Sequence, residues 1–175
     1  VIDSIVIASG RYEFLNFPSG PIFFCGGHCL SVFRADNGEI VNVYGLGNQF
    51  INDLKYYNGL AYIGGRFTSI SSNNRMRIAA LDPSFFPFTD WSQSINDEVY
   101  AIALGYGTAF AGGEFSNISG SENFSLGAMD LSQSDTPYDF MPEEPLNFNF
   151  LYDTEVYNEQ LWIAGQFTKV FNDQR

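Results

Sequence analysis

The sequence predicts an all-β chain, and three observations carry that prediction. Seventeen glycines, 18 phenylalanines and 10 tyrosines accompany no long run of helix-forming residues at 3.6 spacing; many short strands between tight turns have this composition. One stretch, Ala61-Tyr62-Ile63-Gly64-Gly65-Arg66-Phe67-Thr68-Ser69-Ile70, recurs as Phe110-Ala111-Gly112-Gly113-Glu114-Phe115-Ser116-Asn117-Ile118 and as Trp162-Ile163-Ala164-Gly165-Gln166-Phe167-Thr168-Lys169-Val170, with a weaker copy at Ile7-Ala8-Ser9-Gly10-Arg11-Tyr12. A second element, Leu30-Ser31-Val32-Phe33-Arg34, returns as Ile78-Ala79-Ala80-Leu81-Asp82 and Leu126-Gly127-Ala128-Met129-Asp130, 48 residues apart at both steps. Gly65 to Gly113 is also 48 residues, Gly113 to Gly165 is 52 and Gly10 to Gly65 is 55. Two signals sharing one period of this length mark a repeat architecture.

Taken in order, Ile5 to Tyr12 reads as a strand, so residues 1–12 are assigned to the last strand of a preceding blade. Three fuller units follow at 13–67, 68–115 and 116–170, and 171–175 is a link to a following blade. The first unit is expected to hold four strands: Leu30 to Arg34, Glu39 to Tyr44, Phe50 to Tyr57 and Leu60 to Phe67. Asp36-Asn37-Gly38 and Asn58-Gly59 supply residues that accept positive φ in tight hairpin turns. Tyr106-Gly107 and Asn158-Glu159 take the place of Asn58-Gly59 in the later units.

The glycine pair permits a bulge, a positive φ or close approach of a neighbouring backbone. Ala164 replaces the first glycine once, so the second position, held by Gly10, Gly65, Gly113 and Gly165, is the stricter one. Tyr12, Phe67, Phe115 and Phe167 follow at equivalent positions and are expected to pack between sheets, each contributing about 1.5–3 kcal/mol when buried. Four strands per unit suit a β-propeller blade better than a parallel β-helix or a leucine-rich repeat, whose coils are shorter. A closed propeller takes about four to eight blades. The expectation is therefore part of a propeller, completed by further chain or by association of copies.

Gly64-Gly65-Arg66-Phe67-Thr68, followed by Arg77-Ile78-Ala79-Ala80-Leu81-Asp82, resembles the delta-60 repeat, a β-propeller-type repeat of large bacterial surface and secreted proteins. The pattern is similar, more loosely, to the Kelch-like repeats of fungal cortical polarity marker proteins. The resemblance covers nearly the whole chain and departs at Cys29, at Ala164 and in loops of unequal length. It implies an architecture and a surface or secreted setting; activity does not follow from fold.

Eight Lys and Arg against 20 Asp and Glu give a net charge of −12. That field repels phosphate backbones and anionic lipid, which excludes nucleic acid as a natural partner. The acidity reads as the solubility of a secreted or surface protein, with cation binding as the other reading. No run reaches the roughly 18 apolar residues of a bilayer span, and Val1-Ile2-Asp3-Ser4-Ile5 carries no targeting signal. The expected location is extracellular or at the cell surface.

Cys25-Gly26-Gly27-His28-Cys29 sits where the first unit has its longest link: Tyr12 to Leu30 is 18 residues, against 11 from Phe67 to Ile78 and from Phe115 to Leu126. A Cys25–Cys29 disulfide would hold such a loop; packed free thiols, or a metal site limited to three ligands with His28, are the alternatives. Asn117-Ile118-Ser119 and Asn123-Phe124-Ser125 are glycosylation acceptors by pattern. Asp36, Glu39, Asp97 and Glu98 could ligate calcium, but no run matches a dedicated calcium loop and solvated turns are the plainer reading. No other cofactor is expected.

Catalytic constellations are not visible. Glu143 and Glu144, between Pro142 and Pro145, point apart, whereas two-carboxylate mechanisms need groups converging on one bond. His28 has no identifiable partner for activating a nucleophile. The chain is thus expected to be non-enzymatic, an adhesion or interaction module whose blade-end loops meet a protein or glycan. A structural subunit of a virion, filament or surface appendage, with open edges paired by neighbours, a lectin, and a propeller hydrolase using Glu143 and Glu144 are the alternatives. Arg66, Glu114 and Gln166, the variable position of the motif, are where specialisation for partners is expected.

Overall fold

The computed structural model of the chain describes residues 5–15, 23–83, 88–122, 125–138 and 147–169. Every regular element among them is a β-strand, and every pairing is antiparallel. The first sheet is β1 (Ile5–Leu15), β2 (Phe23–Arg34) and β3 (Ile40–Gly47), side by side in chain order. The second joins β4 (Phe50–Tyr57) and β5 (Leu60–Arg66) to β8 (Arg77–Leu81) and β9 (Phe88–Ser94). Between β5 and β8 the chain makes a small ladder of β6 (Ser69–Ile70) and β7 (Asn73–Asn74).

The third sheet has the same order: β10 (Val99–Gly105), β11 (Thr108–Gly113), β14 (Leu126–Asp130) and β15 (Pro137–Tyr138). Its small ladder is β12 (Asn117–Ile118) with β13 (Ser121–Glu122). A fourth sheet contains β16 (Asn147–Tyr157) and β17 (Gln160–Lys169). Matching pairs in the second and third sheets, Ala61 with Leu81 and Ala109 with Met129, are offset by the same 48 residues that separate the sequence motifs.

The sheets divide the chain elsewhere than the expected boundaries at 67/68 and 115/116. β5 pairs with β8, so the second sheet takes residues 50–94 and the third 99–138. The expected first unit, 13–67, is consequently split between two sheets. A period fixes the length of a unit but not its starting point; hydrogen bonding decides that. After β5 the chain folds back on itself, and Arg77 N donates to Phe67 O at 2.9 Å, which returns β8 to the edge of β5. Gly64-Gly65-Arg66 therefore ends β5 within the second sheet, and Phe67 follows at the start of the return to β8.

The hairpin turns follow their residues. Asn58 and Gly59 have φ of +48° and +85°, Tyr106 and Gly107 +52° and +76°, Asn158 and Glu159 +50° and +61°. Left-handed values at both central positions are those of the two-residue turn whose twist matches that of paired strands.

Successive sheets pack face to face through apolar layers. Leu30, Val32, Tyr44 and Leu46 meet Ile63, Phe67, Ile70 and Leu81 between the first two. Tyr62, Ile78, Trp91 and Ile95 meet Val99, Ile102, Phe115 and Met129 between the second and third. Ala101, Leu126 and Leu151, with Leu161 and Ile163, close the third against the fourth. Phe67 and Phe115 are fully buried in these layers; the side chains of Tyr12 and Phe167 lie outside the described residues.

Candidate functional site

The three hairpins β4–β5, β10–β11 and β16–β17 share one irregularity. Their registers shift between Ile51 and Asp53, Val99 and Ala101, Leu151 and Asp153, so Asn52, Tyr100 and Tyr152 occupy equivalent bulges. The second glycine of the motif serves this bulge. A Cβ on Gly65 would stand 2.1 Å from the Phe50 carbonyl oxygen, and one on Gly113 2.0 Å from that of Glu98. The requirement is close backbone approach, since neither glycine has a left-handed φ. Gly165 pairs with Leu151 just before the bulge in β16, and Gly10 pairs with Cys29 in the first sheet.

The first glycine answers to the neighbouring sheet. A Cβ on Gly64 would lie 2.7 Å from Val99 Cγ1 and 2.8 Å from Ile102 Cδ1; on Gly112 it would lie 2.6 Å from the Leu151 methyls. Ala164, at the matching place in β17, is exposed. Its methyl is accommodated because no neighbouring sheet packs there among the described residues, not because the position is permissive in general.

Polar and charged groups gather at the bulges of β4, β10 and β16 and in the residues that follow them. Asn52 Nδ2 donates to Val99 O at 2.8 Å and to Glu98 Oε1 at 2.9 Å. Asp53 Oδ1 accepts the Leu54 amide at 2.8 Å, while its Oδ2 accepts the Ile102 amide of the next sheet at 2.7 Å. Lys55 Nζ reaches from β4 past β10 to β16, 3.4 Å from Glu155 Oε2 and 3.8 Å from Asp153 Oδ1. Burial, then the hydrogen bond to Glu114, then the charges of Glu114, Glu98 and Asp97 hold the Tyr100 hydroxyl well above the usual tyrosine range.

One end of the hairpins β4–β5, β10–β11 and β16–β17 is thus a rim on which Asn52 and Arg66, Tyr100 and Glu114, Tyr152 and Gln166 succeed one another. The backbone is alike and the side chains differ. Arg66, Glu114 and Gln166 are all exposed. Such a rim offers hydrogen-bond donors, acceptors and charge of both signs to a polar surface. Among the described residues no group of three or more His, Cys, Asp or Glu could hold a metal ion.

A cleft of about 380 Å³ opens between the second and third sheets, lined by Met76, Ser94, Ile95, Asn96, Asn117, Ser119, Gly120 and Asp135. Ser119 Oγ donates to Asp135 Oδ1 at 2.9 Å, and Asn96 Oδ1 accepts the amides of Ser116 and Asn117, both at 3.0 Å. Asn117 Oδ1 accepts the Gly120 amide at 2.9 Å, so this glycosylation candidate caps its own turn. Asn123, Glu143 and Glu144 lie outside the described residues.

Cys25-Gly26-Gly27-His28-Cys29 is strand, not the expected loop: Gly10 pairs with Cys29, Arg11 with His28 and Tyr12 with Gly27. The glycines that suggest a loop allow a third strand to come close, for a Cβ on Gly27 would meet the Gly47 carbonyl oxygen at 2.4 Å. Cys29 is disulfide-bonded; the side chain of Cys25, the other cysteine of the sequence, lies outside the described residues. The His28 ring lies 4.2 Å from that of Phe50. Asp36 and Glu39 belong to the β2–β3 turn, where Arg34 pairs with Glu39 at 3.4 Å.

Asn52, Asp53, Lys55, Tyr100 and Asp153 are missed by reading the glycine motif alone. Aligning the hairpins on their turns would have found them, because each lies at a fixed distance before Asn58-Gly59, Tyr106-Gly107 or Asn158-Glu159. No family model, curated protein or solved structure matches the chain.

Proposed function

We propose that the chain forms part of a β-propeller and works as a non-enzymatic extracellular interaction module, presenting the bulge rim to a protein or glycan surface. The ion pairs of Lys55 with Glu155 and Asp153 support the propeller most directly. Sheets stacked flat lie about 10 Å apart, which would set β4 and β16 about 20 Å apart. A lysine on β4 meets carboxylates on β16 when the inner edges of the sheets converge, as blades do around an axis. The delta-60-like motif fits the same reading, and the Cys29 disulfide supports an oxidising compartment.

Binding at the rim is favoured because a constant backbone there carries variable exposed side chains, the arrangement by which repeat folds specialise. A labelled chain and the triple variant Arg66→Ala, Glu114→Ala, Gln166→Ala should be probed on a glycan array and an arrayed peptide library. The expected result is binding that the triple variant loses at an unchanged melting temperature. Binding that survives all three substitutions, or no binding on either array, contradicts the proposal.

A further inference from the structure

We infer that the outward face of β16–β17 is a docking surface for a β-hairpin built like β10–β11, gripped by Asp153 as β10 is gripped by Asp53. The inference rests on the propeller reading and adds to it the partner's chemistry. The two hairpins align pair for pair: Asp53 opposite Gly64 and Asp153 opposite Ala164, Lys55 opposite Tyr62 and Glu155 opposite Trp162, Tyr57 opposite Leu60 and Tyr157 opposite Gln160. On the second sheet this face is covered by β10–β11. On the fourth none of the described residues covers it, and Trp162 is 58% exposed where Tyr62 is 3% exposed.

Asp153 already holds the posture of its counterpart. Its Oδ1 accepts the Thr154 amide at 2.9 Å, as Asp53 Oδ1 accepts the Leu54 amide at 2.8 Å. Asp53 spends its other oxygen on the Ile102 amide at the sheet boundary, whereas Asp153 Oδ2 accepts no hydrogen bond among the described residues. Lys55 sits beside Oδ1 and leaves Oδ2 to an incoming amide.

The covered face also shows what would fit. The occupant is an inner β-hairpin with aliphatic side chains toward Tyr157 and Trp162 and a backbone N–H for Asp153. Opposite Ala164 it carries a residue smaller than Val99, because the glycine that admits Val99 and Ile102 at position 64 is here an alanine. A second copy placed face to face is disfavoured, since Asp153 and Glu155 would meet their own likeness, and like charges brought together across an interface are costly.

The probe is a synthetic peptide of residues 97–113 with Val99→Ala and Ile102→Ala, since both side chains would crowd Ala164, closed head to tail so that the hairpin exists before binding. Titrated into the chain, it should move Trp162 emission to shorter wavelength and saturate. Asp153→Ala should weaken binding about tenfold, the size of one charge-assisted hydrogen bond, and Trp162→Phe should abolish the signal. Both residues are exposed, so neither substitution threatens folding. The inference is overturned by no shift, by an equal shift from a scrambled cyclic peptide, or by indifference to Asp153→Ala. A shift caused by a neutral oligosaccharide, a basic peptide or rising protein concentration in place of the hairpin overturns it too. Coupling of Lys55 to Glu155, measured separately, reports on the propeller reading: if it succeeds while the peptide fails, only the docking falls.

Discussion

The hairpins β4–β5 and β16–β17 are made to one pattern and meet different fates. Each has a left-handed two-residue turn, a bulge six positions before it, an aspartate that caps its own strand and a large aromatic on the second strand. Tyr62 is buried under β10–β11, while Trp162 stands in solvent. Hairpin geometry is thus set locally, by turn residues and by glycine at the bulge. Burial, and with it most of the energetic weight of a side chain, is set by the neighbouring sheet. The same substitution made in both hairpins should therefore separate the local contribution from the inter-sheet one.

The largest effect belongs to the bulge glycine, where the obstacle is backbone. Gly65→Val should prevent folding or cost more than about 4 kcal/mol, because the Phe50 carbonyl cannot move aside without breaking β4 from β5. Gly64→Ala meets side chains that can give, and should cost about 1–3 kcal/mol; the reverse change, Ala164→Gly, should cost about 1 kcal/mol or less. Thermal melts of the three variants check the order. Equal losses for Gly65→Val and Gly64→Ala would remove the distinction between backbone and side-chain crowding.

Next come the aromatics. Phe67→Ala and Phe115→Ala should each cost about 3–5 kcal/mol by leaving a cavity between sheets, whereas Trp162→Ala should stay within about 0.5 kcal/mol. Denaturant midpoints measure both, and a costly Trp162→Ala would mean its face is already covered. Asp53→Ala orphans the Ile102 amide and should cost about 1.5–3 kcal/mol. Asp153→Ala orphans no amide of a neighbouring sheet, loses only the local Thr154 bond and an exposed ion pair, and should cost about 1 kcal/mol or less.

The smallest effect is on pH dependence. Tyr100 has its pKa raised in the folded state, chiefly by burial and then by Glu114. The raised value favours the neutral hydroxyl, so its stabilising contribution is fully present below the ordinary tyrosine value of 10.0 and is lost as pH rises through the raised one. Wild type should lose stability above pH 10 more steeply than Tyr100→Phe, in denaturation followed across that range. Parallel curves would place the alkaline sensitivity elsewhere, with the buried Tyr62 as the first alternative.

Much of the fold is legible in the residues. Asn58-Gly59 and its counterparts announce the hairpin turns, the aromatic-rich alternation announces strands, and the 48-residue offset appears in the ladders themselves. The phase of the units is not legible, because periodicity is indifferent to where a unit begins and only the return of Arg77 to Phe67 decides it. Cys25 to Cys29 reads as loop because glycine serves both turns and close strand approach. The rim is half legible: Arg66, Glu114 and Gln166 stand out as variable, but Asn52, Tyr100 and Tyr152 differ in chemistry and are related only by their common distance of six residues before the hairpin turns. Lys55 and Glu155 could not be linked from sequence at all, since no local pattern reports a contact across 100 residues.

That contact carries the central claim, that the inner strands converge as blades around an axis. Lys55 and Lys169 are the two lysines of the chain, so zero-length carbodiimide coupling followed by peptide mapping gives a direct answer. The expected product joins the peptide containing Lys55 to the one containing Asp153 and Glu155, within one chain, and disappears in Lys55→Arg. Coupling of Lys55 confined to carboxylates of the second and third sheets, with none to Asp153 or Glu155, would mean a flat stack and would contradict the propeller.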